Sequence, residues 1–170
     1  MSDSDSANHA PAWSPSAYQS AIESSWIDYN GHLRDGYYGL IASASIDALM
    51  DDLGLDQSYR QQSRCTLYTV EMHVRFLSEV KHDDVLTLDR YAVEFDTKRL
   101  RSLIAMRIHG NQTTAAVVDV MLLHVHQGDA VTTRPFPATI QQRLVAWARQ
   151  PAPADVLTLG SRALTMSRRS

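Results

Sequence analysis

Four period-two segments run one after another through the middle of the chain, and they restrict its fold more than any other feature. In 66–77, Tyr68, Val70, Met72, Val74 and Phe76 alternate with Thr69, Glu71, His73 and Arg75, the pattern of a half-buried strand. In 85–95, Val85, Thr87, Asp89, Tyr91, Val93 and Phe95 share one side. In 99–109, Leu100, Ile104, Met106 and Ile108 are set against Arg99, Arg101, Arg107 and His109. The fourth segment, 114–126, is largely apolar and suits a central strand. Asp96-Thr97-Lys98 and 109–112 are short polar turns, so the second and third segments form a hairpin and the set reads as antiparallel. A short first strand is expected within 17–25.

One long helix precedes these strands. Over 36–53, Tyr38, Ile41, Ala42, Ile46, Leu49 and Leu53 follow the three-and-four spacing of a single apolar face. Asp35 stands where a cap would start it, and Gly54 where a left-handed residue would end it. Its centre (Ala42, Ser43, Ala44, Ser45 and Ala48) is small, and a slim helix lets a sheet approach and wrap it. A closing helix over 138–148 follows Pro135 and Pro137. The expected class is α+β, a long central helix wrapped by a five-stranded antiparallel sheet. Such a sheet alone leaves one face and its edges exposed, so a homodimer or higher homo-oligomer is expected.

The 170 residues suit one domain. Residues 1–17 are rich in Ser, Ala, Asp and Pro and read as a flexible leader; 18–148 hold the domain. Residues 149–170 open on a Pro/Ala linker, end on a basic group, and read as a tail or an arm laid on a partner subunit. A net charge of −3 with no basic block argues against general nucleic-acid binding. No apolar run approaches the ~18–20 residues of a membrane-spanning helix. A single cysteine, Cys65, precludes an internal disulfide and fits a reducing cytoplasm.

The chemistry is concentrated just ahead of the helix. Trp26-Ile27-Asp28-Tyr29-Asn30-Gly31-His32-Leu33-Arg34-Asp35-Gly36-Tyr37-Tyr38 packs a carboxylate, an amide, an imidazole and aromatic rings into one loop. Free N–H groups at a helix start favour an anion or a polarised carbonyl. Thioester hydrolysis needs both parts: a carboxylate to attack or to direct water, and N–H donors for the developing oxyanion. The same residues also suit a plain turn with Gly31 at positive φ, and spacing leaves both readings open.

Asp28-Tyr29-Asn30-Gly31-His32-Leu33, followed by a Tyr-bearing helix, resembles the hotdog-fold thioesterases of the 4-hydroxybenzoyl-CoA thioesterase group, whose pattern is Asp-x-Asn-x-His and then Val or Met. The element order is similar too, over about residues 18–130. A narrower resemblance is to the thioesterases encoded beside, or fused to, carnitine dehydrogenase. It rests on Trp26 to Leu33 and on Tyr68-Thr69-Val70-Glu71-Met72-His73. The chain departs at Leu33, where Met is usual, and at Arg34-Asp35-Gly36, where the group is richer in Thr and Asn.

The resemblance implies a hotdog fold and hydrolysis of an acyl-CoA, betainyl-CoA to glycine betaine and CoA in carnitine degradation. It makes Asp28 the catalytic carboxylate. Asn30 and His32 match residues that position water or substrate, and Glu71 matches a second acidic residue. The backbone N–H groups of Gly36 and Tyr37 are candidate oxyanion donors. A quaternary ammonium can neither accept a hydrogen bond nor lose a proton, so aromatic faces and a carboxylate must hold it; Trp26, Tyr29, Tyr37 and Tyr68 are the candidates. Simple alternation puts Tyr68 and Glu71 on opposite faces of their strand, so a bulge or a site shared across a dimer is needed to unite them. No cofactor is expected, because a thioester is already activated.

Lys98, Arg99 and Arg101 at the hairpin are candidates for the CoA phosphates, with a solvated turn as the alternative. His109, His124 and His126 lack a carboxylate or Cys at matching spacing, so no metal site is expected. Asp119, in an apolar strand, needs a buried partner. Two rival functions stay open: a thioesterase for uncharged or fatty acyl groups, and a hotdog domain that binds acyl-CoA without turnover.

Overall fold

The small-centred helix and the alternating strands meet as the periodicities require. The computed structural model describes residues 13–111 and 113–160. The leader up to residue 12, Gln112 of the expected turn, and residues 161–170 lie outside the described residues. In chain order the elements are β1 (Tyr18–Ala21), α1 (Asp35–Leu53), α2 (Gln57–Ser63), β2 (Cys65–Phe76), β3 (Val85–Phe95), β4 (Arg99–Ile108), β5 (Thr114–Gln127), β6 (Val131–Thr133), α3 (Ala138–Ala148) and α4 (Ala154–Leu159). The sheet runs β1-β3-β4-β5-β2, every pairing antiparallel, and β6 adds to the end of β5.

The apolar face of α1 enters the main core. Ile41, Leu49 and Leu53 are buried with Leu86, Leu88, Leu100, Ile104, Met106, Val118, Val120 and Leu122 from the inner sheet face. The small centre of α1 makes room for a large inward side chain. Arg90 of β3 donates to Ser45 O (2.7 Å), to Asp52 Oδ2 (3.0 Å) and to Ser16 O. Burial disfavours its charge and Asp52 partly restores it. Gly54 closes α1 in the left-handed region at φ +86°. Asp35 does not cap the helix: Arg34 holds that place without a side-chain bond, and Asp35 is the first helical residue.

Bulges in β2 and β3 correct the simple alternation. In β2 the register shifts between Thr69 and Glu71, so Val70 is extra. Leu67 points inward before it, and Met72 and Val74 pack on the core after it. Tyr68 therefore shares the outer face with Glu71 and His73, not the inner face with Met72. In β3 the shift falls between Ala92 and Glu94. Tyr91 and Val93 pack against the outer cluster, while Phe95 packs on the main core.

The outer face has its own small core. Leu103, Ala105 and Val117 are buried with Ala152 and Val156. Residues 154–159, inside the segment expected as a tail, are thus a helix laid on the sheet; burying Val156 stabilises it by ~1.5–3 kcal/mol. Trp13, inside the expected leader, meets Trp147 edge to face at 6.3 Å.

Candidate active site

The loop ahead of α1 is organised by one carboxylate. Asp28 Oδ1 accepts the backbone N–H of Asn30 (2.8 Å) and of His32 (3.0 Å). Asp28 N–H donates to His32 O (2.8 Å) and Gly31 N–H to Asp28 O (3.1 Å). Gly31 sits at φ +83°, where a side chain would be strained. The turn expected of these residues is therefore present over 28–32. The His32 N–H holds the Asp28 carboxyl below its ordinary value of 3.8; desolvation opposes this, and the Asn30 backbone and side chain and the His32 ring add to it. Asp28 is ionised at neutral pH.

A second segment clamps this loop. Leu33 N–H donates to Val80 O (2.8 Å), and His32 bridges to Lys81. Ser24 Oγ and His82 Nε2 lie 2.7 Å apart. The clamp carries Glu79 to the His32 ring, with Nε2 and Oε2 3.0 Å apart. Between the loop, the first turn of α1 and the end of β2 lies a cavity of about 380 Å³. His32, Leu33, Asp35, Tyr38, Phe76 and Glu79 are among its lining. Tyr38 and Phe76 meet edge to face at 5.0 Å. Burial raises the Tyr38 hydroxyl above its usual value, and the negative charges of Asp84 and Glu79 push the same way.

The expected aromatic residues are divided. Trp26 and Tyr37 stack on each other at 5.3 Å and 19°. Tyr29 is 96% exposed at the tip of the turn. Tyr68 is on the outer face of β2, accepting from Gln127 Nε2 (3.1 Å). Glu71, on that same face, pairs with His73 at 2.9 Å. The bulge at Val70 puts Tyr68 and Glu71 on one face, but that face is opposite the one on which α1 packs.

The two oxyanion candidates have partners here. Gly36 N–H donates to Asp35 Oδ1 (2.8 Å) and Tyr37 N–H to Arg34 O (3.1 Å). Arg99 pairs with Asp96 (2.7 Å), Arg101 with the buried Asp119 (2.8 Å), and Lys98 Nζ lies 3.4 Å from Thr133 Oγ1. Arg101 is the buried partner that Asp119 requires. His124 is buried between Tyr59 OH (2.9 Å) and Arg134 O (2.8 Å). Its desolvation holds the ring below the usual histidine value. Among the described residues no group of three or more His, Cys, Asp or Glu gathers around a common point.

Glu79 and Phe76 are absent from the segment singled out in the sequence, and Tyr38 closes that segment without a role of its own. Glu79 follows a strand end with no motif around it. Tyr38 and Phe76 carry only the periodicity of core residues.

A model of the thioesterase-like superfamily matches residues 22–147. A betainyl-CoA thioesterase of Pseudomonas aeruginosa is 37% identical over 131 residues, 77% of this chain and 82% of that protein. An L-carnitine dehydrogenase/betainyl-CoA thioesterase of Agrobacterium fabrum is 37% identical over 108 residues, 64% of this chain but 22% of that larger protein. A Pseudomonas putida protein proposed to be a thioesterase superposes with a TM-score of 0.72 at 34% identity, over 94% of this chain and 99% of that one. A Staphylococcus aureus protein solved in complex with CoA superposes with a TM-score of 0.75 at 26% identity, over 81% of this chain and 85% of that one.

Proposed function

The chain belongs to the thioesterase-like superfamily and hydrolyses acyl-CoA thioesters, and from that premise we propose that its substrate is betainyl-CoA, cleaved to glycine betaine and free CoA in carnitine degradation. The observation that carries this is the Asp28 turn at the start of α1, with its ionised carboxylate, in a chain 37% identical to a betainyl-CoA thioesterase.

The chemistry follows from the turn. Asp28 either adds a carboxylate oxygen to the thioester carbon or takes a proton from a water that adds there. Both routes require the ionised carboxylate that the two N–H bonds maintain. The carbonyl oxygen becomes an oxyanion, received at the N-terminus of α1 by the Gly36 N–H once the exposed Asp35 side chain turns away from it. The oxyanion then collapses, the C–S bond breaks, and the CoA thiolate leaves and takes up a proton. Direct attack leaves an anhydride on Asp28, which water then opens. His32, held by Glu79, and Asn30 orient the water and the thioester.

The domain over 18–148 performs this as a homodimer in the cytoplasm. The dimer is supported by β2, an edge strand whose Val70 is 53% exposed. A reducing compartment is supported by the free thiol of Cys65.

The test is release of free thiol from betainyl-CoA and from its uncharged isostere, 3,3-dimethylbutyryl-CoA. A strong preference for the cation is expected. Equal turnover would retain the thioesterase and discard the carnitine assignment. Turnover of neither, with acyl-CoA still bound, would favour a binding domain.

A further inference from the structure

We propose that the cavity between Tyr38, Phe76, Asp35 and Glu79 is the seat of the quaternary ammonium, and that these four residues set the preference for a cationic acyl group. The inference rests on the substrate reading above and deepens it, since it moves the recognition of charge away from Trp26, Tyr29, Tyr37 and Tyr68.

Three observations carry it. The cavity shares His32 with the Asp28 turn, because the His32 N–H binds Asp28 while His32 itself lines the cavity. An acyl group seated there lies against the His32 end of the same loop and against the first turn of α1. The walls are those a trimethylammonium needs: the exposed ring of Phe76, backed edge to face by the buried Tyr38, beside two carboxylates. An uncharged or fatty acyl chain would gain nothing from Asp35 and Glu79 and would lose by desolvating them. The aromatic residues nearest the motif are also differently engaged: Trp26 and Tyr37 spend one face each on the other, and Tyr29 projects into solvent.

Glu79 serves twice, as counter-charge to the ammonium and as partner of the His32 ring. The two effects separate by substrate. Losing His32 orientation slows both thioesters alike, whereas losing counter-charge slows only the cation.

The experiment compares kcat/KM for betainyl-CoA and 3,3-dimethylbutyryl-CoA in the wild type, Glu79→Gln, Asp35→Asn and Phe76→Leu, with Trp26→Leu alongside. The expected result is a betainyl-to-neutral ratio that falls about threefold or more in each of the three cavity variants. A wild-type preference that survives all three, or that falls only in Trp26→Leu, would overturn this assignment and leave the substrate reading standing. A wild type without preference would overturn both.

Discussion

The role proposed for Asp28 requires a charged carboxylate, and two backbone N–H groups keep it charged. Asparagine keeps an oxygen that can accept the same two N–H bonds, so Asp28→Asn should leave the turn and the fold in place. It removes the charge, and kcat should fall by ~10²–10⁴ with the far-ultraviolet circular dichroism unchanged; near-wild-type turnover would take Asp28 out of the reaction. The sign of the pH dependence follows. The folded carboxyl lies below 3.8, so the ionised form already predominates at that pH and is lost only as the pH falls through the depressed pKa. Wild-type kcat/KM should show no limb due to Asp28 between about pH 5 and 8. The Asp28 turn was legible because all its partners lie within four positions. Glu79 and Phe76 were not, because a β-bridge between His32 and Lys81 brings their segment to the loop, and no local pattern announces such a pairing.

At the level of elements, periodicity identified α1 and four long strands because each has a period matched to one buried face. It failed where one residue breaks the period. A bulge adds a residue that alternation counts as ordinary, and everything beyond it changes face; Tyr68 moves to the outer side of β2 for this reason. The start of α1 was misjudged for a related reason. Asp35 is a good capping type one position too late, and its carboxylate bonds to the adjacent Gly36 N–H instead. The end of α1 was legible, because few residues besides glycine tolerate φ +86°. Gly54→Ala should therefore cost ~1–2 kcal/mol in urea-induced unfolding, with an unchanged m-value. The new Cβ also meets Arg143 Nη1 at 2.7 Å, a flexible tip that can move aside, so the backbone strain is the larger part.

At the level of the whole molecule, the sheet ends on β2, a long strand with one unpaired edge and apolar side chains in solvent. The homodimer proposed above uses this edge. The chain should sediment as a dimer, and Val70→Asp should shift it toward monomer and lower turnover together; a monomeric wild type would remove β2 as an interface. The short helix α4 was less legible than α1, since six residues carry too few repeats for a period to show, and its outer-face burial depends on Leu103, Ala105 and Val117 from distant strands. The stack of Trp26 on Tyr37 has an optical consequence. Of the three indoles in the chain, Trp13 and Trp147 are paired with each other, and Trp26 alone stands two residues from Asp28. Subtracting the emission spectrum of Trp26→Phe from that of the wild type isolates a fluorophore in the loop that carries Asp28. Its quenching during a single turnover can time acyl-CoA arrival and thiol departure without a label.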